Sequence, residues 1–281
     1  MVARTSAAPE AEPLYSVGPY LRVVNASLDR IWENVLDWEH LPYLHADSFA
    51  AIRLVHSTAD TWRALVTTVA SLGGAESEIE VVLDRANLRY VTRTIGGAGV
   101  GTEIVTALTP VDARNTRVEV EFLVPGVSEE HADLVGVYYR KLYARLWDQD
   151  EAMMVERERV LGSAASVSLR VPDDRRQPVP LGSAAELRTR LPLLIEVADR
   201  LYRILEVEGR FVVHSATCPH MGGPLGHAAV DEQGCVTCPW HGYSFAVATG
   251  RSADGRKLRL ASVPRVDIDA ETGEALLRWR L

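Results

Sequence analysis

The chain has 281 residues, 47% hydrophobic and 24% charged, enough for two domains of ordinary size and too apolar for a disordered chain. A formal net charge of −8 argues against a basic, phosphate-tracking surface, and so against nucleic acid as a partner. No apolar run approaches the roughly 18 residues needed to cross a bilayer, and only three cysteines are present, at 218, 235 and 238. Such an odd, clustered set suits metal binding in a reducing cytoplasm better than a disulfide framework.

In chain order, MVARTSAAPEAEP lacks an apolar segment, so residues 1–14 read as a disordered tail rather than a signal peptide. SVGPYLRVV (16–24) alternates as a strand does. Ser27 then suits the N-cap of a helix carrying Leu28, Ile31, Trp32 and Val35, with Asp29 in its first turn, and Pro42 ends or interrupts that helix. From residue 48 to about 124 the pattern alternates repeatedly, through FAAIRLVHS, TWRALVTTVA, SEIEVVL, LRYVTRTI, TEIVTALTP and TRVEVEFLV. Turn signals at Gly73-Gly74, 84–87 and 112–115 separate these runs and predict an antiparallel meander. IGGAGVG (95–101) is glycine-rich, but no helix follows it, so it reads as a hairpin loop and not as a nucleotide-binding loop. A long helix is expected over roughly 128–159. This order defines an α+β domain over 15–160, a curved sheet gripping one C-terminal helix. Residues 161–182, rich in Ser, Pro and Ala, read as a linker with room for an edge strand. Short strands and Gly-rich loops then make 183–281 a small all-β domain.

Inside that second domain stands CPHMGGPLGHAAVDEQGCVTCPWHGYSF, with Cys218 and His220 in one loop and Cys238 and His241 in another. Two Cys-His pairs can hold a [2Fe–2S] cluster, thiolates on one iron and imidazoles on the other. A zinc site built from the same four residues is the alternative. Gly222, Gly223, Pro224, Pro239 and Gly242 suit tight loops that bring backbone amides close to sulfide. Cys235 lies outside the pattern and is expected to be a small buried apolar group. With Pro219, Pro239, Trp240 and Gly242, the two pairs resemble the Rieske family over about the last 100 residues. Respiratory members of that family carry an additional cysteine pair and hydroxyl donors to sulfur. Here Met221 and Trp240 stand at the bridging positions, and Tyr243 and Phe245 at the donor positions. The resemblance therefore implies a potential at the low end of the Rieske range, on the order of −150 mV.

The same resemblance gives meaning to DWEHLPYLH (37–45). In soluble proteins a Rieske cluster is commonly accompanied by a helix-grip (START-like) domain holding mononuclear iron, as in Rieske non-haem iron oxygenases. The ligands of that iron follow the first helix in the order Asn, Asp, His, His, which Asn34, Asp37, His40 and His45 resemble. On an unbroken helix the two histidines would lie about 140° apart. Pro42 prevents that and biases Leu41 away from helical angles. Plain helix-grip proteins also carry Asp37, Trp38, Leu41 and Pro42, so His40 and His45 are the informative residues. A ferrous oxygenase site needs one carboxylate beside two histidines. On a helical wheel with Leu146 at zero, Val135, Tyr139, Leu142 and Met153 share a stripe with Asp150, at about 40°. Asp148 and Glu151 fall towards solvent. Asp150 is the expected third ligand and Glu151 the fallback, with a buried salt bridge from Asp150 to arginine as the alternative. By resemblance, Asp37 would orient His40 and connect it to His220 or His241 of a neighbouring subunit. That implies a homo-oligomer, most plausibly a ring-shaped trimer. The domain order is the reverse of the usual oxygenase.

The expected protein is thus a cytoplasmic Rieske-type oxygenase, a monooxygenase in the usual case. It would hydroxylate or demethylate a hydrophobic small molecule with dioxygen at Fe(II), using NAD(P)H electrons delivered by a separate ferredoxin or reductase. The competing expectation is a non-catalytic Rieske electron carrier or redox sensor fused to a lipid- or polyketide-binding helix-grip module. His56, His131, His214 and His227 are expected to be structural or solvated.

Overall fold

The structure, a computed structural model, describes residues 13–167, 178–197 and 200–279. The chain divides into two compact units, one through Met154 and one from Val155. Most of the expected 1–14 tail lies outside the described residues, but Leu14 already opens the first strand.

The N-terminal unit is one antiparallel sheet around a helix. Strands β1 (Leu14–Val24), β2 (Phe49–Ser57), β3 (Thr61–Thr68), β4 (Glu76–Asp84), β5 (Arg89–Gly97), β6 (Glu103–Pro110) and β7 (Thr116–Pro125) form it in the order β1-β7-β6-β5-β4-β3-β2. The meander thus runs through sequential neighbours, and β1 closes it by pairing with β7, Val24 opposite Thr116. The glycine-rich run is the β5–β6 hairpin connection. Helix α1 (Leu28–Leu36) starts at Ser27, whose side chain accepts from the Arg30 amide. The long helix α3 runs Glu129–Val167, eight residues beyond its expected end. It covers the start of the expected 161–182 linker, and the middle of that linker lies outside the described residues.

Within this unit the buried side of α3 is Ala132, Val135, Tyr139, Tyr143, Trp147 and Met154, spaced three, four or seven apart. It meets Val118, Val120 and Phe122 of β7, Trp62, Ala64 and Val66 of β3, and Ile31 and Trp32 of α1 in one core. Phe122 stacks on Tyr139 with ring centroids 5.0 Å apart and meets Tyr143 edge-on at 4.8 Å. The buried stripe is therefore centred nearer Tyr143 and Trp147 than Leu146, because the aromatic rings need the depth of the sheet. Gly136 belongs to the same face: a Cβ there would stand 2.0 Å from the Val17 carbonyl oxygen, so only glycine lets β1 approach the helix.

Two expectations fail here. Helix α1 ends at Asp37 (φ −84°, ψ 79°), five residues before Pro42, and a 3-10 turn (Trp38–His40) follows. Pro42 lies in the first turn of a new short helix, α2 (Leu41–Leu44), where its missing N–H costs nothing. Leu41 is accordingly helical (φ −50°, ψ −52°), against the usual pre-proline bias. Glu151 is the second: it does not face solvent but is 9% exposed. It pairs with Arg22 and accepts from the Asn25 backbone amide at 2.9 Å and from the Asn25 side chain. That network takes it out of the ligand set. Arg22→Ala should cost about 2 kcal/mol, since it strands a buried carboxylate. Chemical denaturation reads that loss, and iron content should be untouched.

Beyond the end of α3, the described residues of the second unit are all-β apart from α4 (Ala184–Thr189), which carries a complete capping box between Ser183 and Glu186. Strands β9 (Leu193–Val197), β10 (Arg200–Val207) and β11 (Arg210–Ser215) form one sheet in the order β11-β10-β9. A second has the order β14-β15-β8, with β8 (Val179–Ser183) at its edge beside β15 (Glu274–Arg278) and β14 (Arg265–Ile268). The strand allowed for in the linker is β8. Leu181, Leu187, Ile204, Val213, Ala275 and Leu277 fill the space between these elements. A third, two-stranded ribbon, β12 (Cys235–Thr237) with β13 (Ser244–Ala246), carries one of the two cysteine loops.

Candidate metal centres

The break at Asp37 positions the first site. The 3-10 turn and α2 redirect the chain, so that His40 and His45, both under 5% exposed, face Asp150 of α3. His45 Nε2 is 3.1 Å and His40 Nε2 3.5 Å from the same oxygen, Asp150 Oδ1. One donor atom from each of the three residues lies within 4.8 Å of the other two, a group that could hold a metal ion. Asn34 donates its side-chain amide to Asp150 Oδ1 at 3.0 Å, so it touches the carboxylate and stands behind the donor set. Asp37 lies behind His40, with Oδ2 3.6 Å from Nδ1, longer than a hydrogen bond. Gln149 had no signal in the helical periodicity, yet its Oε1 is 2.7 Å from His45 Nδ1. It accepts the Nδ1 proton, which leaves Nε2 for the shared centre. Tyr90 and Tyr143 are also set close to Asp150, and burial keeps both phenols protonated well above the ordinary range.

The protonation of this trio follows from its depth. Burial alone would lower the His45 pKa, but the Asp150 hydrogen bond and charge more than reverse it. Burial would raise Asp150, and His45, then His40 and Asn34, hold it below the usual carboxylate value. Below the raised His45 value the two groups therefore form an imidazolium–carboxylate pair. Its His45 contribution is complete below the unfolded value of about 6.5 and is lost as pH rises through the raised folded value. A metal needs the neutral imidazole, so ferrous iron should displace about one proton per chain when bound below that value. Calorimetry in buffers of differing ionisation enthalpy would register the proton, and its absence would mean that His45 is not a ligand.

The second site is formed by two loops of the same design. In one, the Cys218 amide donates to the Gly223 carbonyl (2.8 Å) and the Gly222 amide to the Cys218 carbonyl (3.0 Å). In the other, the Cys238 amide donates to Tyr243 (2.9 Å) and the Gly242 amide to Cys238 (2.9 Å). Gly222 and Gly242 both have positive φ, 87° and 67°, which lets each loop curl back on its cysteine. The result brings both buried thiols together. The Cys218 contact lowers Cys238 to about 5 against the opposing effect of burial, while the same contact, together with burial, holds Cys218 far above its usual value. The rings of His220 and His241 lie 4.6 Å apart, nearly perpendicular. A Cβ at Gly223 would come 2.5 Å from Cys238 Sγ, so glycine is required there by space around sulfur. Two thiols and two imidazoles gathered in this way suit a [2Fe–2S] cluster and its mixed ligation.

Other cysteine and histidine expectations divide. Cys235 is only half-buried, on β12, and so is not the buried apolar group foreseen. His56 and His227 are exposed, His131 bonds Ser128 at the start of α3 (2.8 Å), and His214 is buried with Nδ1 2.9 Å from the Ser215 carbonyl.

Residues 177–264 match the family model of the Rieske [2Fe-2S] domain, and the C-terminal part of the chain carries that domain. A human Rieske domain-containing protein is 35% identical over 57 residues, 19% of this chain. The chain spans 36% of that relative's length. Among solved structures, the ferredoxin of carbazole 1,9a-dioxygenase from Nocardioides aromaticivorans IC177 is 22% identical, with a TM-score of 0.32, over 37% of this chain and 99% of its own. A START superfamily protein from Mycobacterium smegmatis is 16% identical over 48% of this chain and 97% of its own, TM-score 0.41. Norcoclaurine synthase from Thalictrum flavum is 17% identical over 56% and 96%, TM-score 0.43. Among the described residues, no helix is long and apolar enough to cross a membrane.

Proposed function

We propose that the chain is a Rieske-type oxygenase in which His40, His45 and Asp150 hold a mononuclear ferrous ion and Cys218, His220, Cys238 and His241 hold the cluster. The observation that carries this reading is the approach of two buried imidazole Nε2 atoms to one buried carboxylate oxygen in the N-terminal unit. A two-histidine, one-carboxylate set leaves coordination positions open, as non-haem iron oxygenases require. With both groups bound, the chemistry supplied is reductive activation of dioxygen, one electron at a time. The chain's own residues hold that centre in place. Gln149 fixes the His45 tautomer, Asn34 anchors Asp150, and Asp37 stands behind His40 as the carboxylate nearest its outer nitrogen. The core around α3 is apolar and aromatic, so a substrate that reaches the trio would be a hydrophobic one, to be hydroxylated or demethylated. Electrons would come from NAD(P)H through a separate ferredoxin or reductase. Where copies associate, Asp37 would link His40 to a cluster histidine of a neighbour, as in the ring-shaped trimer that the resemblance implies.

One observation favours the second reading, an electron carrier fused to a ligand-binding module. His45 Nε2 and Asp150 Oδ1 lie 3.1 Å apart, a distance at which the two groups satisfy each other as a hydrogen-bonded pair. Anaerobic loading with ferrous iron followed by nitric oxide separates the two. An open ferrous site gives a high-spin electron paramagnetic resonance signal that His45→Ala should lose, whereas a carrier gives no such signal in either protein. The cluster itself should titrate on the order of −150 mV, because Phe245 has no hydroxyl to offer sulfur and the Tyr243 hydroxyl is engaged by Arg256. The Tyr243 ring instead stacks on His220 at 4.4 Å. A clearly positive midpoint would contradict that account of the loops.

A further inference from the structure

Helix α3 has a second face that the metal sites do not use. Opposite its buried stripe, Leu134, Val137 and Tyr138 are 71%, 40% and 51% exposed. On an ideal helix they fall, with Glu130, Asp133, Lys141 and Arg145, within one arc of roughly 140°. Those four charged residues are also exposed, and they are not scattered. Between residues 130 and 145 the acids lie on the N-terminal side of the apolar patch and the bases on its C-terminal side; Asp148, the next charge on this arc, is taken up by Arg22. Acids near a helix N-terminus have a local use in meeting the helix dipole, but that does not explain the uncovered Leu, Val and Tyr between the two charge sets.

We propose that this face is a two-fold interface with a second copy of the chain, α3 against α3 antiparallel. Only an antiparallel pairing puts each charge block against its opposite. With the axis between Val137 and Tyr138, Val137 meets the partner's Tyr138. Glu130 then meets the partner's Arg145, and Leu134 meets the partner's Lys141, whose stem covers it and whose ammonium reaches Asp133. Each contact occurs twice. A parallel pairing would oppose like charges along the same stripe, so the sequence of the face selects direction as well as partner. The paired dipoles of antiparallel helices act in the same sense. The patch is short, about 22 Å from Glu130 to Arg145, which fits a reversible, salt-sensitive dimer rather than an obligate one. This inference is a two-fold contact on α3, separate from the Asp37 contact between neighbours, and it needs no iron; of its residues only Arg145 also acts on the charge of His45.

Analytical ultracentrifugation of the full chain at low salt, over a wide concentration range, tests it with two charge-reversed variants. Glu130→Lys/Asp133→Lys and Lys141→Glu/Arg145→Glu should each raise the dimer dissociation constant by at least about tenfold. An equal mixture of the two should restore dimer, since one then offers a wholly basic stripe and the other a wholly acidic one. All seven positions changed or contacted are exposed, Arg145 also donates to Ser48 Oγ at 2.8 Å, and circular dichroism checks that each variant is folded. A monomeric wild-type chain at about 100 μM, an oligomer indifferent to both variants, or a mixture that stays monomeric would each overturn the proposal.

Discussion

His40→Ala and Asp150→Ala should each lower the iron content from about three per chain to about two. The visible spectrum and resonance signal of the Rieske cluster should remain. The effect is large because the three donor atoms come from one turn of chain and one distant helix, and removing either leaves two donors at most. Asp150→Ala does more than delete a ligand. It leaves His40 and His45 without their shared carboxylate and Asn34 without its acceptor. Asp150→Asn keeps the shape, removes the charge, and should give the same loss of about one iron. Two irons in the wild-type chain, unchanged in the variants, would leave the trio as a structural ion pair and remove the oxygenase reading.

Gly223→Ala should abolish cluster assembly although it adds one methyl group. That methyl would occupy the space 2.5 Å from Cys238 Sγ, with the Trp240 ring 3.1 Å away on the same side, so neither neighbour has room to yield. Gly209→Ala is the matched control. Gly209 has φ 74° but no atom within 4 Å of its added Cβ, so it pays for backbone strain only, about 1 kcal/mol, and keeps its cluster. Iron, acid-labile sulfide and visible absorbance measure both. A Gly223→Ala protein with a full cluster would show that the loop opens further than its hydrogen bonds suggest.

Periodicity made the architecture legible where burial is one-sided. The alternating runs between residues 48 and 124 became β2 to β7 almost run for run, because one face of each meets α3 and the other meets water. The cluster ligands were legible because their spacing is chemical: two short Cys-His segments can satisfy one cluster only in tight loops. The chain break before His40 was placed at the wrong residue. Pro42 is the conspicuous breaker in the sequence, but the backbone turns at Asp37, and proline is tolerated in the first turn of the helix that follows. Glu151 was misplaced for a different reason. A wheel places side chains by angle, and it does not know that Arg22 and Asn25 of a strand end wait beside the helix. Gln149 was invisible altogether, since an amide that orients a histidine carries no periodic or motif signal.

If His40, His45 and Asp150 hold a ferrous ion, dioxygen would take its electrons there rather than from the cluster directly. Stopped-flow mixing of the chemically reduced protein with dioxygen, followed at the cluster's absorbance, tests it. Wild-type protein loaded with ferrous iron should reoxidise its cluster much faster than the same protein without that iron, and His45→Ala should show no difference between the two conditions. Equal reoxidation rates in all of these samples would mean that the cluster meets dioxygen directly and that the chain is an electron carrier.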